Sequence, residues 1–283
     1  MKKVFLSMIF VSLFTNMAMA SDQNKALDEA LAAQPAEVQA RYTYRHTKET
    51  LEFFGLKPGM TVVEGLPGGG WYSKILLTYL GTDGTLIGVD YAEDMYPKFG
   101  FFDQEALDAK KTWVADWTAK ANGWRTDGDA SVEAFQFGSM PDEMKGTADA
   151  VFLVRALHNL ARFENDGGYL TTALNDAFKA LKPGGVAAVV QHMARDEKPD
   201  EWADGSRGYL KQGFVIDSME KAGFVFEASS DINNNPADQP EVDDIVWRLP
   251  PTYFTSRDNP ELKAQMQAIG ESNRMTLRFR KPE

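Results

Sequence analysis

Thr61-Val62-Val63-Glu64-Gly65-Leu66-Pro67-Gly68-Gly69-Gly70-Trp71-Tyr72 is the stretch on which the reading of this chain turns. A short apolar run gives way to a glycine-rich loop. Helical spacing then begins, with Trp71, Ile75, Leu76, Tyr79 and Leu80 recurring on one face. Consecutive glycines let a backbone approach a ligand closely and take φ values closed to other residues. A helix that opens straight after the loop points its unpaired first-turn amides at whatever the loop holds. The next apolar run, Leu86-Ile87-Gly88-Val89, ends on Asp90. That is the spacing at which a strand-end carboxylate accepts the two hydroxyls of a ribose. A tight turn would explain the loop alone, and a solvated strand end would explain Asp90 alone; side by side they describe a nucleoside site.

The same alternation of strand and helix extends outward in both directions. Downstream, Gln104 to Ala121 has helical spacing, Ala134 to Phe137 and Ala148 to Val154 read as strands, and Tyr169 to Leu181 is a helix stopped by Lys182-Pro183-Gly184-Gly185. Val186 to Val190 is a buried strand, Phe214 to Lys221 a helix, and Phe224 to Ala228 and Met275 to Arg280 are the last strands. Strands separated by helices predict a mostly parallel sheet covered on both faces. Upstream, 21–55 is a helical segment interrupted by Pro35. The domain itself spans 56–283 and carries two long connections, 91–128, rich in Tyr and Phe, and 231–261, rich in Asn and Pro. Connections of that length inside a domain are usually lids, binding loops or unstructured segments.

Two chemistries compete for the loop. A dinucleotide fingerprint needs a third small residue for close helix packing, and counting from Gly68 and Gly70 that place falls on Ser73, a poor match. Glu64, at the end of the first strand, also suits a pyrophosphate badly. It suits a ligand carrying an ammonium and a sulfonium. On Glu64 to Tyr72, Arg155-Ala156-Leu157-His158-Asn159, Leu181-Lys182-Pro183-Gly184-Gly185 and Asn235-Pro236-Ala237-Asp238, the chain resembles the class I S-adenosylmethionine-dependent methyltransferases. Within them it is most similar to a bacterial family of exported predicted methyltransferases. The resemblance runs from about Thr47 to the end of the chain. It implies a Rossmann-like α/β fold with a seven-stranded sheet, helices on both faces and an antiparallel last strand. It also implies S-adenosylmethionine as cofactor, with Glu64, Gly65, Pro67, Gly68, Gly69, Gly70 and Tyr72 around its methionine part, Asp90 at the ribose and Ser139 near the adenine. Two positions depart from the broad pattern: Leu66 stands where the first glycine of the loop is expected, and Ser139 where an acid often follows the third strand.

Ligands of open parallel sheets bind beyond the carboxyl ends of the strands. Arg155, His158 and His192 fall there, and two of the chain's three histidines at one edge make the candidate catalytic set. Either histidine would serve as a base toward a small methyl acceptor, with Arg155 orienting an anionic one. Each also has a bland alternative: a helix cap for His158, a bond to a neighbouring carbonyl for His192. Arg155 ends an apolar strand, so burial and a carboxylate partner are expected, Asp238 or Glu64. The three residues are expected to share a cavity with Asn235 and Asp238. No spaced ligand motif suggests a metal.

Lys2-Lys3, the apolar run Val4 to Phe14 and Ala18-Met19-Ala20 have the layout of a cleavable signal peptide over 1–20, which predicts a periplasmic or secreted protein beginning at Ser21. The run is too short for a membrane span, which takes about twenty residues. With no cysteine, a disulfide framework and thiolate metal sites are excluded. Losing the two lysines takes the net charge from −11 to −13. That disfavours nucleic acid as a partner, since such binding draws its affinity from basic groups on phosphates. S-adenosylmethionine is a cytoplasmic metabolite, so an exported protein of this fold has a second reading, a non-catalytic binder of a small molecule or a partner.

Overall fold

The computed structural model describes residues 23–283; the leader read over 1–20 lies outside them. Seven strands form one sheet: β1 (Thr61–Gly65), β2 (Thr85–Asp90), β3 (Ser131–Gln136), β4 (Ala148–Val154), β5 (Leu181–His192), β6 (Val225–Ser230) and β7 (Arg274–Arg280). Their order is β3-β2-β1-β4-β5-β7-β6. β1 to β5 pair in parallel, and β7 runs antiparallel to both neighbours. The order reverses between β1 and β4, so their carboxyl ends flank the crevice where ligands of such sheets bind.

Side chains alternate across a strand, which gives the sheet two apolar faces. Val63, Ile87, Val89, Val151, Leu153, Val189 and Leu277 meet the helix Tyr169–Ala180 on one side. Val62, Leu86, Phe152, Ala188 and Val190 meet Trp71–Leu80 and Trp113–Asn122 on the other. The N-terminal segment belongs to this second layer: the helix at 23–32 contributes Leu27, Ala30 and Leu31, and Thr47–Phe54 contributes Leu51 and Phe54.

Several elements differ from the sequence expectation. β3 starts three residues earlier than expected, at Ser131. β5 takes in Lys182-Pro183-Gly184-Gly185, because the register against β4 shifts there rather than ending the strand. The connection 91–128 is ordered by a 3-10 turn, Glu93–Phe99, and two helices, Gln104–Lys110 and Trp113–Asn122. The helix Pro260–Ile269 was not anticipated, although its start carries Asn259 as N-cap, accepting from the Leu262 amide, and a proline in its first turn.

Gly88 marks where β2 meets this inserted layer. A Cβ built on it would lie 2.4 Å from Cη2 of Trp117, whose indole covers the strand. Gly88→Ala is therefore expected to displace Trp117 and destabilise the protein by about 1–3 kcal/mol, read as a lower denaturant midpoint with altered tryptophan fluorescence.

Candidate functional site

The two residues that leave the sheet at the crevice have left-handed backbones. Leu66 follows β1 with φ +55°, and Arg155 follows β4 with φ +57°. Each is held by a short bond back into the sheet, Leu66 N–H to Val89 O and Arg155 N–H to Val190 O, both 2.6 Å. Leu66, where the family pattern has glycine, thus adopts a conformation glycine takes freely, at about 1–3 kcal/mol of strain. Strain of this kind clusters at ligand sites and switch regions.

Arg155, His158 and His192 line a single cavity of about 320 Å³, together with Leu66, Trp247 and Glu271. The rings of His158 and His192 are 5.5 Å apart. Asn235 and Asp238 are not on its wall, contrary to expectation. Asn235 donates to the carbonyls of Ile269 and Glu271, fixing the backbone beneath. Asp238 is buried behind, bonded by Arg248 at 2.8 Å and by the Tyr209 hydroxyl. Nor does Arg155 pair with Asp238 or Glu64. The acid it faces is Glu271, which also attracts Arg41, Arg45 and Arg274.

The Glu271 cluster was not legible in the sequence. Burial alone would raise its carboxyl; the guanidiniums of Arg45, Arg274, Arg155 and Arg41 outweigh this and hold it down to about 2. Three are in ion-pair contact, with N···O distances of 2.5 Å for Arg41, 3.2 Å for Arg45 and 3.3 Å for Arg274. Four cations thus share one carboxylate. Arg155 Nε and both Nη atoms of Arg45 are buried without an acceptor among the described residues. Arg45 lies 4.1 Å above the Trp71 ring, a cation–π contact that partly replaces the missing bonds.

Gln191 sets the tautomer of His158. Its Oε1 accepts the Leu157 amide and its Nε2 donates to Gly208 O, so two backbone groups fix which way the amide points. The same Nε2 lies 3.4 Å from His158 Nδ1. A donor facing Nδ1 requires the ring proton on Nε2, which makes neutral His158 a hydrogen-bond donor at its other edge. His192 Nδ1 meets the Ser272 hydroxyl at 2.5 Å. That hydroxyl can accept from Nδ1, which leaves His192 Nε2 free to take a proton. Burial, with Arg155 adding to it, brings His158 down to about 4; burial, then His158 and the arginines, puts His192 well below the usual range.

Of the residues expected around a cofactor, Glu64 and Tyr72 are buried beneath the loop. Glu64 accepts from the Ser73 hydroxyl at 2.6 Å, and burial pushes its carboxyl up to about 7. Tyr72 packs edge-on against Trp71 and Phe152, in the core. Gly65 lies against Leu153, Gly70 against Trp124, and Pro67 is buried, while Gly68 and Gly69 are open to solvent. Asp90 is buried rather than exposed. It accepts the Tyr91 amide at 2.9 Å, and Lys110 reaches it at 3.6 Å. Ser139 lies on a wider cleft of about 770 Å³ lined also by Gln104, Lys111, Gln136 and Tyr169. Among the described residues no group of three His, Cys, Asp or Glu is placed to hold a metal, and no helix is long and apolar enough to cross a membrane.

Solved structures share this architecture. The [4+2]-cyclase SpnF matches with a TM-score of 0.51 at 16% identity, over 84% of this chain and 80% of its own. A chain from the complex of the Haloferax volcanii Trm112 methyltransferase activator gives 0.51 at 14%, over 92% and 97%. Geranyl diphosphate C-methyltransferase from Streptomyces coelicolor gives 0.50 at 15%, over 89% and 87%. The fold is that of the class I methyltransferases. No family model matches the chain, and no curated protein matches its sequence. With a cyclase among these neighbours, the class I fold leaves the reaction to be argued from the site.

Two outcomes follow from the electrostatics. Glu271→Gln should destabilise strongly, by about 3–5 kcal/mol, because it strands buried guanidiniums. Arg155→Gln should leave the melting temperature unchanged or raise it, since three arginines still serve Glu271. Chemical denaturation of both variants decides this. The second outcome concerns pH. His158 titrates near 4 when folded and near 6.5 when unfolded, so between those values the unfolded chain binds more protons and the contribution of His158 falls as pH falls. The stability of the parent relative to His158→Gln should therefore drop by up to about 3 kcal/mol from pH 7 to pH 4.

Proposed function

We propose that this protein transfers a methyl group from S-adenosylmethionine to a small anionic acceptor. The observation that carries the reading is the pairing of opposite needs at the crevice. Glu64 is a buried carboxylate with one hydroxyl partner beside the glycine loop, and Arg45 and Arg155 have donors without acceptors among the described residues. An α-amino acid end group, with its ammonium and carboxylate, answers both. Glu64 would face the ammonium and Arg45 the carboxylate, while the helix Trp71–Leu80 opens directly after the glycine loop. Asp90 would take the ribose hydroxyls once Lys110 withdraws. The bound cofactor would supply an electrophilic methyl on sulfur.

The chain's own part is to position the acceptor and move a proton. Arg155 orients an anionic group, His158 donates a hydrogen bond from Nε2, and His192 Nε2 takes the proton that a hydroxyl or amine acceptor loses as it is methylated. A base kept neutral by burial remains ready to accept through the acid side of neutrality. The leader over 1–20 supports an exported protein; its delivery outside the cytoplasm belongs to this proposal.

Calorimetry with S-adenosylmethionine, S-adenosylhomocysteine and NAD tests the cofactor, with the two adenosyl compounds expected to bind and NAD not. Glu64→Gln adds a second readout. Glu64 titrates near 7 when folded and near 4.5 when unfolded, so its neutral form stabilises below 4.5 and that contribution is lost as pH rises through 7. The variant should melt a few degrees above the parent at pH 8, about 2–4 °C per kcal/mol, and match it near pH 5. It should bind S-adenosylmethionine at least about tenfold more weakly at pH 8. Unchanged binding would remove Glu64 from the ammonium site, and no adenosyl binding by the parent would end the methyl-transfer reading.

A further inference from the structure

The cavity of Arg155, His158 and His192 has an apolar annex. Phe99, Phe101, Ile245 and Phe254 line an adjoining pocket of about 340 Å³ together with Asn159 and Arg162, and Trp247 and Thr252 belong to both. Trp247 stands edge-on to His158, with ring centroids 5.7 Å apart, so the apolar wall meets the polar chamber at one ring. Phe101 and Phe254 are 73% and 57% exposed. Single exposed aromatics are ordinary, but a group of them beside a cavity marks a binding surface. Phe101 is not a loose side chain. Phe101 packs on Phe99 and Phe102 at 5.5 and 4.6 Å, and Phe99 packs on Phe163 at 5.2 Å.

The polar end carries an excess of positive charge. Among the described residues, Arg41, Arg45, Arg155 and Arg274 share the one carboxylate of Glu271, and both histidines are neutral neighbours. Arg155, whose Nε is buried without an acceptor, lies on the cavity wall itself. An occupant with one anionic head would meet the half-buried side chain of Arg155 where it reaches the cavity. A tail attached to that head would reach the aromatic annex past Trp247.

We propose that the two pockets together bind one amphipathic carboxylic acid. Its carboxylate lies against Arg155, and its hydrocarbon tail passes Trp247 to rest on Phe99, Phe101 and Phe254. As the methyl acceptor this ligand rests on the function proposed above; as a ligand of the free protein it does not.

Calorimetry on the full protein without cofactor tests it, using decanoate below its micelle concentration, with octanoate, acetate, 1-decanol and decyl phosphate for comparison. Decanoate should bind, and octanoate should bind about tenfold more weakly, the loss expected for two fewer buried methylenes. Acetate should give no measurable heat, and 1-decanol should be at least about tenfold weaker than decanoate. Arg155→Gln should abolish the preference for decanoate over 1-decanol. The double variant Phe101→Ser/Phe254→Ser, altered only at exposed positions, should stay folded with a small drop in melting temperature and lose the dependence on chain length. Equal affinity for decanoate and acetate, or for decanoate and 1-decanol, would overturn the proposal. Decyl phosphate binding tenfold tighter than decanoate would overturn the carboxylate head. Decanoate binding without any adenosyl binding would leave this site standing and remove the acceptor role. Adenosyl binding without decanoate binding would overturn this proposal alone.

Discussion

One carboxylate organises the site. Glu271 precedes β7 and gathers guanidiniums from three separate parts of the chain: Arg41 and Arg45 from the N-terminal helices, Arg155 from the end of β4, and Arg274 from β7 itself. Charges of one sign do not collect in a protein interior unaided, because each must be taken out of water. The ion pairs to Glu271, the Trp71 face beneath Arg45 and the Tyr44 carbonyl accepting from Arg274 are what keep this group together. The N-terminal segment is thereby more than a covering layer on the sheet. It delivers two of the four cations, so the character of the crevice depends on residues far from the glycine loop in sequence.

The sheet was legible because its determinants are local. Apolar runs of strand length, glycine and proline stops, and helical spacing between them each occupy a few consecutive residues, and together they leave little freedom beyond the doubly wound arrangement. Residues at strand ends were legible for the same reason: Arg155, His158 and His192 follow β4 and β5, and topology alone carries them to one edge. What could not be read were pairings between residues remote in sequence. Arg155 had an evident need for an acid, but nothing in the order of residues favoured Glu271 over Asp238 or Glu64. Asp238 is already engaged by Arg248, ten residues on, as part of the packing of the loop 231–261. Arg45 gave no signal at all, since an arginine on an amphipathic helix ordinarily faces water, and this one is 1% exposed.

Gln191 shows how second-line contacts decide chemistry. It touches no ligand in any role assigned above, yet its amide, fixed at both ends by backbone, dictates which nitrogen of His158 bears the proton. His158 is thereby made a donor at its outer edge, while His192, of similar burial, meets the Ser272 hydroxyl instead. The loop 231–261 acts in the same indirect way. Its buried Arg248–Asp238 pair fixes the strip that presents Val246, Trp247 and Thr252 to the cavity.

Lys110 carries a consequence for how a nucleoside would arrive. It occupies the carboxylate of Asp90 from the helix Gln104–Lys110, in which no residue is buried. An element with so few buried contacts opens at little free energy, well before the rest of the molecule unfolds. Entry at the ribose position would then be limited by the frequency of that local opening rather than by diffusion, and association would be slow for a ligand so small. The glycine loop, with Gly68 and Gly69 already open to solvent, imposes no such delay. The two halves of the crevice would therefore fill in order, the amino acid end first and the sugar after it.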